Sequence, residues 1–207
     1  MYRLTGHPQR PEPKIFCVGM HRTGTKSFHQ FMSDLGARSL HSTRGSMAGL
    51  GLGSDNSGEE GDGSRCDLAA RIDASLLQSL VDQYDCFSDN PWPLLYRRLD
   101  VAFPGSRFVL TVRDTEDWLR SQVGFFGAQN TRMRQWVYGF GNPLHHVERY
   151  RDVYEQHVRD VRQYFAGRPD FLELRLGDDN RTLGVQLWAF LGLSGEPPTF
   201  PHANARR

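Results

Sequence analysis

Residues 14–31, KIFCVGMHRTGTKSFHQF, combine an apolar run, a glycine-containing turn and an amphipathic pattern. Residues 15–18 are apolar without interruption, which is typical of a strand buried on both faces of a parallel sheet. Gly19 and Gly24 bracket a turn whose backbone N–H groups can converge on an anion, and the helix predicted from Thr25 directs its positive end there. This stretch therefore predicts an α/β fold that binds a phosphate or sulfate ester after its first strand.

The side chains of this turn also suit an anion. They supply two cations and three hydroxyl groups, from Arg22, Thr23, Thr25, Lys26 and Ser27. The spacing of Gly19 and Gly24 matches the ATP-binding phosphate loop, but in that loop a lysine follows the second glycine directly. Here Thr25 stands between Gly24 and Lys26, so an ATP-type loop fits poorly. A plain strand-to-helix connection would also use glycine, and it is the alternative for the turn taken alone.

Length and charge limit the class of protein. A chain of 207 residues suits a single domain, which at this size can bury roughly 70% of its unfolded surface. The net charge is +1, whereas nucleic-acid-binding proteins usually carry a strongly basic face or tail. We therefore expect one α/β domain without a nucleic-acid partner.

Cysteine usage and hydropathy bear on location and on metals. The three cysteines, Cys17, Cys66 and Cys86, are odd in number and lack the spacing of metal ligands. No apolar run is long enough for a signal peptide or a membrane span. These features predict a cytoplasmic protein without a metal site, in which Cys17 is a small core residue of the first strand.

Two stretches differ in composition from the rest. Residues 1–13 contain three prolines among polar residues, which predicts a flexible N-terminal arm before a domain at 14–207. Residues 42–65 are rich in Gly, Ser and Asp and poor in bulky apolar groups, which predicts a flexible insertion. Such an insertion is either a mobile loop that binds a second substrate or a solvated excursion without a role.

Polar side chains follow two predicted strands at their carboxyl ends. His41 ends a short strand at 38–41, and Asp89 follows a strand at 86–88. Open α/β sheets bind ligands in the crevice outside the carboxyl ends of their strands. Either side chain can serve as a base, His41 because imidazole titrates near neutral pH. The alternatives are a surface histidine and an aspartate that caps the following helix.

Residues 103–121, FPGSRFVLTVRDTEDWLRS, form a second strand-turn-helix motif. A five-residue buried strand ends at Arg113, and the predicted helix places Ser121 two turns along its length. A guanidinium can hold a phosphate with two hydrogen bonds, and a hydroxyl on the adjoining helix can add another. The alternative is an arginine that pairs with Asp114 or Asp117 beside a solvated serine.

Apolar residues recur at helical or strand spacing through much of the remaining chain. Helices are predicted at 67–83, 94–103, 143–165 and 183–191, and a half-exposed strand at 171–176. The aromatic residues of 124–141 either line an acceptor pocket or belong to a core helix. Three histidines without evident metal partners are interpreted as solvated or capping side chains, namely His145, His146 and His157.

The turn Arg22-Thr23-Gly24-Thr25 resembles the phosphosulfate loop of the sulfotransferase family, above all in its small bacterial branch. The resemblance extends to Arg113 and Ser121, which have the separation of the family's 3′-phosphate ligands, and to the Phe-Pro-His-Ala-Asn ending at 200–204. It implies a single-domain, three-layer fold of the phosphate-loop type, with a mostly parallel central sheet flanked by helices.

The same resemblance implies a specific chemistry. The donor would be 3′-phosphoadenosine 5′-phosphosulfate (PAPS), and the enzyme would move its sulfuryl group to a hydroxyl or amine of a small-molecule acceptor. It would release 3′-phosphoadenosine 5′-phosphate (PAP) and would need no metal. Arg22 would act in catalysis, with His41 or Asp89 as the base. The donor would be bound by Arg22, Thr23, Gly24, Thr25, Lys26, Ser27, Arg113 and Ser121.

Two positions depart from the better-known cytosolic members of this family. These members have a lysine at the position of Arg22 and a tryptophan, near adenine, at the position of Ser27. Arginine can stabilise charge on the bridging oxygen but cannot donate a proton. The alternative functions are an ATP-dependent small-molecule kinase on the same architecture and a nucleotide-binding relative without catalysis.

Overall fold

The computed structural model describes residues 13–55 and 60–203, and its centre is a parallel sheet of five strands. The strands are β1 (Ile15–Cys17), β2 (Ser39–His41), β3 (Cys86–Ser88), β4 (Arg107–Val112) and β5 (Phe171–Arg175). Their order across the sheet is β2-β3-β1-β4-β5, and every neighbouring pair is parallel. The predicted strands and the predicted α/β class are thus confirmed.

Nine α-helices and one short 3-10 helix, Trp92–Leu94, surround this sheet within the described ranges. The α-helices are α1 (Thr25–Asp34), α2 (Thr43–Gly49), α3 (Leu68–Arg71), α4 (Ala74–Asp82), α5 (Tyr96–Ala102), α6 (Thr115–Phe126), α7 (Arg132–Tyr138), α8 (Val147–Tyr164) and α9 (Asn180–Phe190). Among these residues no helix is both long and apolar enough to cross a bilayer.

Alternation along the buried strands creates two cores, because successive side chains point to opposite faces. Phe16 and Val18 join a core that includes side chains of α5, α6, α7 and α8. Ile15 and Cys17 join a second core with side chains of α1 and α9. Helices therefore cover both faces of the sheet, which confirms the expected three-layer arrangement.

The strand order brings the predicted functional positions to one edge. β1 lies between β3 and β4, so the turn after β1 has neighbours that follow strands on both sides. These neighbours are Asp89 after β3 and Arg113 after β4. His41 at the end of β2 is the register partner of Ser88. The carboxyl ends of parallel strands are where a doubly wound sheet forms its crevice.

The helix expected at 67–83 is wrong as a single element. The chain is extended at Ile72, and the Asp73 side chain accepts hydrogen bonds from the backbone N–H groups of Ser75 and Leu76. An N-cap of this kind starts a new helix, so α3 and α4 are separate. Leu76, an apolar residue in the first turn of α4, is 41% exposed.

The Gly/Ser-rich insertion contains a helix that composition alone does not suggest. α2 begins after Ser42, whose side chain accepts a hydrogen bond from the backbone N–H of Gly45. Met47 and Leu50 are buried in the first core. The capping serine and two apolar residues three positions apart are the local signals for this helix. Most of the predicted N-terminal arm, residues 1–12, lies outside the described residues.

The interpretation of His157 as a solvated or capping side chain is wrong. This residue is buried on the inner face of α8, and its Nε2–H donates to the carbonyl oxygen of Val18 at 2.8 Å. Burial lowers the pKa of His157 to about 4. His146 stacks on Phe140, and its Nε2 pairs with the Glu60 carboxylate. Through the hydrogen bond from His157 to Val18, helix α8 is joined to the sheet just before the β1–α1 turn.

Candidate active site

The turn between β1 and α1 lies tightly against β4. A Cβ at Gly19 would stand 2.0 Å from Thr111 Oγ1, so only glycine fits there. Arg22 and Gly24 have left-handed backbones, with φ of 68° and 92°. The Thr23 hydroxyl donates to the carbonyl oxygen of Met20 at 2.5 Å and lies 2.7 Å from Thr111 Oγ1. Thr23 therefore holds the turn from the inside.

Helix α1 begins beside this turn with its N–H groups directed at the crevice. Its N-cap is Gly24, which has no side chain to occupy the first N–H groups. Those groups and the helix dipole favour an anion at this end. Thr25 and Ser27 are buried, whereas Lys26 is exposed and lines a cavity. The geometry is that of an anion cradle.

A cavity of about 500 Å³ opens on the α6 side of the turn, and we call it the Arg113 cavity. Its lining includes Arg22, Ser27, Arg113, Arg120, Ser121 and His202. Five of the predicted donor-binding residues therefore line this cavity, namely Arg22, Gly24, Ser27, Arg113 and Ser121. Ser27 Oγ accepts a hydrogen bond from the backbone N–H of Ala203, which places the C-terminal segment at the same rim.

The backbone of Arg113 is fixed by two hydrogen bonds to the side chain of Tyr154. The Tyr154 hydroxyl accepts from the Arg113 N–H at 2.9 Å and donates to the Arg113 carbonyl oxygen at 2.8 Å. Asp114 caps α6, and Asp117 pairs with Arg120. Within the described part of the chain, Arg113 forms no ion pair. The alternative of a structural pairing with either aspartate is therefore not observed.

One arginine joins the two sequence motifs. Arg22 Nε donates to Ser121 Oγ at 3.0 Å across a separation of 99 residues. The Arg22 guanidinium also lies 4.1 Å from the centre of the Phe125 ring. Ser121 and Phe125 are one turn apart on α6, so this helix face contacts the arginine at two points.

A second cavity of about 350 Å³ lies on the other side of Arg22, and we call it the His41 cavity. It includes Arg22, Lys26, His41, Asp89, Asn90 and Arg134. Phe125, Phe126 and Met133 add apolar walls. The 124–141 stretch thus contributes both to the pocket and to the core, since Tyr138 is fully buried.

His41 is oriented by its neighbours. Its Nδ1 is hydrogen-bonded to Ser88 Oγ at 2.9 Å, and its ring stacks on His29 with centroids 5.2 Å apart. Burial lowers the pKa of His41 below its usual value, Asp89 raises it and Lys26 lowers it. The imidazole is therefore neutral near pH 7 and able to accept a proton.

Asp89 does not cap the helix that follows it. The N-cap of the 3-10 helix is Pro91, whereas Asp89 Oδ2 accepts a hydrogen bond from Thr43 Oγ1 at 3.2 Å. Asp89 has a left-handed backbone with φ of 72°, and its Oδ1 is buried without a partner among the described residues. Strained residues of this kind concentrate at functional sites.

The structure adds His21, which sequence reasoning missed. Asn90 Nδ2 donates to His21 Nδ1 at 2.7 Å, and His21 Nε2 contacts Gln122 Oε1 at 2.9 Å. The Gln122 amide also donates to the carbonyl oxygen of His21 at 3.1 Å. Burial lowers the pKa of His21 to about 4. Its partners Asn90 and Gln122 lie 69 and 101 residues away, so no local sequence pattern could have revealed that His21 is buried and hydrogen-bonded to them.

The insertion and α7 close the far wall of the His41 cavity. Asp55 Oδ1 accepts a hydrogen bond from the Met133 N–H at 2.7 Å. Arg134 bonds to the carbonyl oxygens of Gln129 and Gly141, and its guanidinium lies over the Phe126 ring. In residues 13–55 and 60–203, no group of three or more His, Cys, Asp or Glu side chains is arranged to hold a metal ion.

Comparisons with known proteins agree with this arrangement. The profile of a family described as sulfotransferase domain matches residues 14–150, more than half of the chain. None of the curated protein sequences matches significantly.

Two solved structures have a similar fold. A sulfotransferase from Alicyclobacillus acidocaldarius matches with a TM-score of 0.58 and 16% identity, over 94% of this chain and 87% of its own. The sulfotransferase domain of the Synechococcus PCC 7002 olefin synthase matches with a TM-score of 0.50 and 15% identity, over 94% of this chain and 78% of its own. Because the family profile spans both sequence motifs and the fold is shared, the chain belongs to the sulfotransferase family.

Proposed function

We propose that this protein transfers the sulfuryl group of PAPS to a hydroxyl or amine of a small-molecule acceptor. The observation that carries the proposal is the hydrogen bond between Arg22 and Ser121. It unites the phosphosulfate-type turn and the 3′-phosphate-type motif in a single crevice. A donor with an anionic group at each end would reach both motifs at once.

The donor belongs in the Arg113 cavity. Arg113 offers a planar fork of N–H groups and Ser121 a hydroxyl, a set suited to the 3′-phosphate. The N–H groups at Gly24 and Thr25, with the cationic side chains of Arg22 and Lys26, suit the 5′-phosphosulfate. These cationic and hydrogen-bonding groups fit the donor's anionic ends.

The acceptor belongs in the His41 cavity, on the opposite side of Arg22. Its oxygen or nitrogen attacks the sulfur, the bond from sulfur to the bridging oxygen breaks, and PAP leaves with that electron pair. Arg22 lines both cavities and is placed to stabilise the charge that develops on the bridging oxygen. Because arginine stays protonated, its assistance is electrostatic.

The proton of the acceptor passes to His41. Ser88 holds Nδ1, so Nε2 is the nitrogen that receives the proton. Asp89 raises the pKa of His41, which means that its carboxylate stabilises the imidazolium as it forms. In this assignment His41 is the base and Asp89 its electrostatic partner.

Calorimetric titration with PAP and AMP, without Mg²⁺, tests the donor assignment. The wild type should bind PAP more tightly than AMP by roughly 10- to 100-fold, the worth of hydrogen bonds to a charged group. Arg113→Ala should reduce this ratio to near one, and Arg113→Lys should retain part of it. Arg38→Ala is the control, because Arg38 pairs with Asp85 at the surface.

Two outcomes would contradict the proposal. If the wild type bound PAP and AMP with equal affinity, the protein would have no site for the 3′-phosphate. Binding of ATP alone, and only after Mg²⁺ is added, would favour the kinase.

A further inference from the structure

Phe125 is an exposed aromatic residue in an unusual place. It is 60% exposed near the end of α6, so burial of its ring does not explain its position. Its ring lines both the Arg113 cavity and the His41 cavity, as do Arg22 and Gly24. At this junction its ring centre lies 4.1 Å from the Arg22 guanidinium, and its ring also meets the Phe126 ring edge-on with centroids 4.9 Å apart.

The Arg22 side chain needs support from outside its own turn. Its left-handed backbone fixes where the side chain leaves the chain, but a long arginine has many rotamers beyond that point. The Ser121 hydroxyl restrains Nε, and the Phe125 ring, whose centre is 4.1 Å from the guanidinium carbon, restrains the guanidinium group itself. A guanidinium stacked on a ring keeps its in-plane N–H groups directed outward.

We propose that Phe125 is a positioning residue for sulfuryl transfer, because it holds the guanidinium of Arg22 at the boundary between donor and acceptor. This assignment rests on the proposed function, in which Arg22 contacts the group that is transferred. Phe125 acts through Arg22 and itself has no chemical role. Positioning matters at such a point, since small displacements of a catalytic group carry large costs in rate.

The affinity ratio of PAPS to PAP tests this assignment without an identified acceptor. The two ligands differ by the sulfonate alone, so the ratio isolates the contacts made to that group. Phe125→Leu should lower the ratio roughly two- to fivefold, the range expected for loss of an exposed cation–π contact. Phe125→Tyr keeps the ring and should retain the wild-type ratio.

A double-mutant cycle separates positioning from a general structural effect. In an Arg22→Ala background, Phe125→Leu should leave the PAPS to PAP ratio unchanged, because the group that it positions is gone. Val101→Ala is the control for removal of an exposed apolar side chain, since Val101 is 80% exposed on α5. It should leave the ratio at the wild-type value.

Three results would overturn the assignment. A Phe125→Leu variant with the wild-type ratio would show that the ring does not support Arg22. If Phe125→Leu lowered the PAPS to PAP affinity ratio as much in the Arg22→Ala background as in the wild type, Phe125 would act independently of the arginine. If the wild type bound PAPS and PAP with equal affinity, Arg22 would make no favourable contact with the sulfonate, and Phe125 would have nothing to position. Failure of the proposed function is distinguishable, because the wild type would then bind PAP no more tightly than AMP, or would bind neither PAPS nor PAP.

Discussion

His41 and Asp89 end neighbouring strands and line the same cavity, but their surroundings give them different chemistry. The ring of His41 is fixed by Ser88 and His29, and burial keeps it neutral near pH 7. Asp89 is bonded to Thr43 and acts on His41 through its charge. The proposed division of roles, with His41 as the base and Asp89 as its electrostatic partner, can be tested through the dependence of the rate on pH.

Loss of the imidazole should remove the acid limb of the pH–rate profile. His41→Gln is expected to lower kcat by roughly 10²- to 10⁴-fold, the usual contribution of a general base. Asp89→Asn should move the acid limb to lower pH, because the carboxylate raises the pKa of His41. The measurement is PAP release from PAPS, with an acceptor chosen from a panel of phenols, alcohols and amines.

The opposite pattern would reassign the base. If His41→Gln kept the wild-type acid limb and Asp89→Asn lost turnover while still binding PAP, the base would be Asp89.

At the scale of elements, α6 organises the site. Five of its side chains contact the turn after β1, and one of them is Phe126, whose ring meets the His21 ring edge-on with centroids 5.3 Å apart. Ser121 and Phe125 hold Arg22, and Trp118 and Gln122 both donate to the carbonyl oxygen of His21. Arg113 immediately precedes the Asp114 cap of α6, so this one helix connects Arg113 with the residues that contact the turn after β1.

Helix α8 supports the same turn from behind through His157, and this contact should make stability depend on pH. The folded pKa of about 4 is below the ordinary 6.5, so protons bind preferentially to the unfolded chain. The contribution is complete above the unfolded pKa and is lost as pH falls toward the folded value. Between about pH 7.5 and about pH 5, His157 should account for a loss on the order of 2 kcal/mol.

Urea unfolding at these two pH values checks the prediction against a matched variant. His157→Gln retains an N–H donor for Val18 but cannot titrate. Its free energy of unfolding should fall less with pH than that of the wild type, by the amount given above. His21 is present in both proteins, so its contribution cancels. If the free energy of unfolding fell by the same amount between the two pH values in both proteins, the proposed role of His157 would be contradicted.

At the scale of the whole molecule, the C-terminal segment completes the second core. Phe200 is 2% exposed and packs on Phe31 of α1, with ring centroids 5.8 Å apart. Its backbone N–H donates to the carbonyl oxygen of Asn180 at 3.0 Å. The segment then reaches Ser27 through Ala203. One short stretch thus connects the core under α1 and α9 with the rim of the Arg113 cavity.

Removal of this side chain should destabilise the fold. Phe200→Ala is expected to lower the free energy of unfolding by about 3–5 kcal/mol, the usual cost of deleting a buried phenylalanine ring. Val185→Ala on α9, at a side chain 44% exposed, should cost far less. Denaturant titration of both variants gives the comparison. Equal stabilities of the two variants would show that the segment is not part of the core.

The amino-acid sequence by itself determined the strands and the α/β class, and it predicted both anion-binding motifs. These features have local causes. Apolar runs specify buried strands, and glycines specify the turn after β1. The position of Arg113 after β4 follows from the strand that precedes it. Each of these predictions rests on a short run of consecutive residues.

Only the tertiary structure decided how these parts meet. The bond from Arg22 to Ser121, the buried pairing of His21 with Asn90 and the contact of His157 with Val18 each join residues far apart in sequence. The same side chains can be solvated or buried, according to which elements pack against them. Folding settles that choice because it sets the neighbours, and the neighbours set burial, hydrogen bonding and pKa.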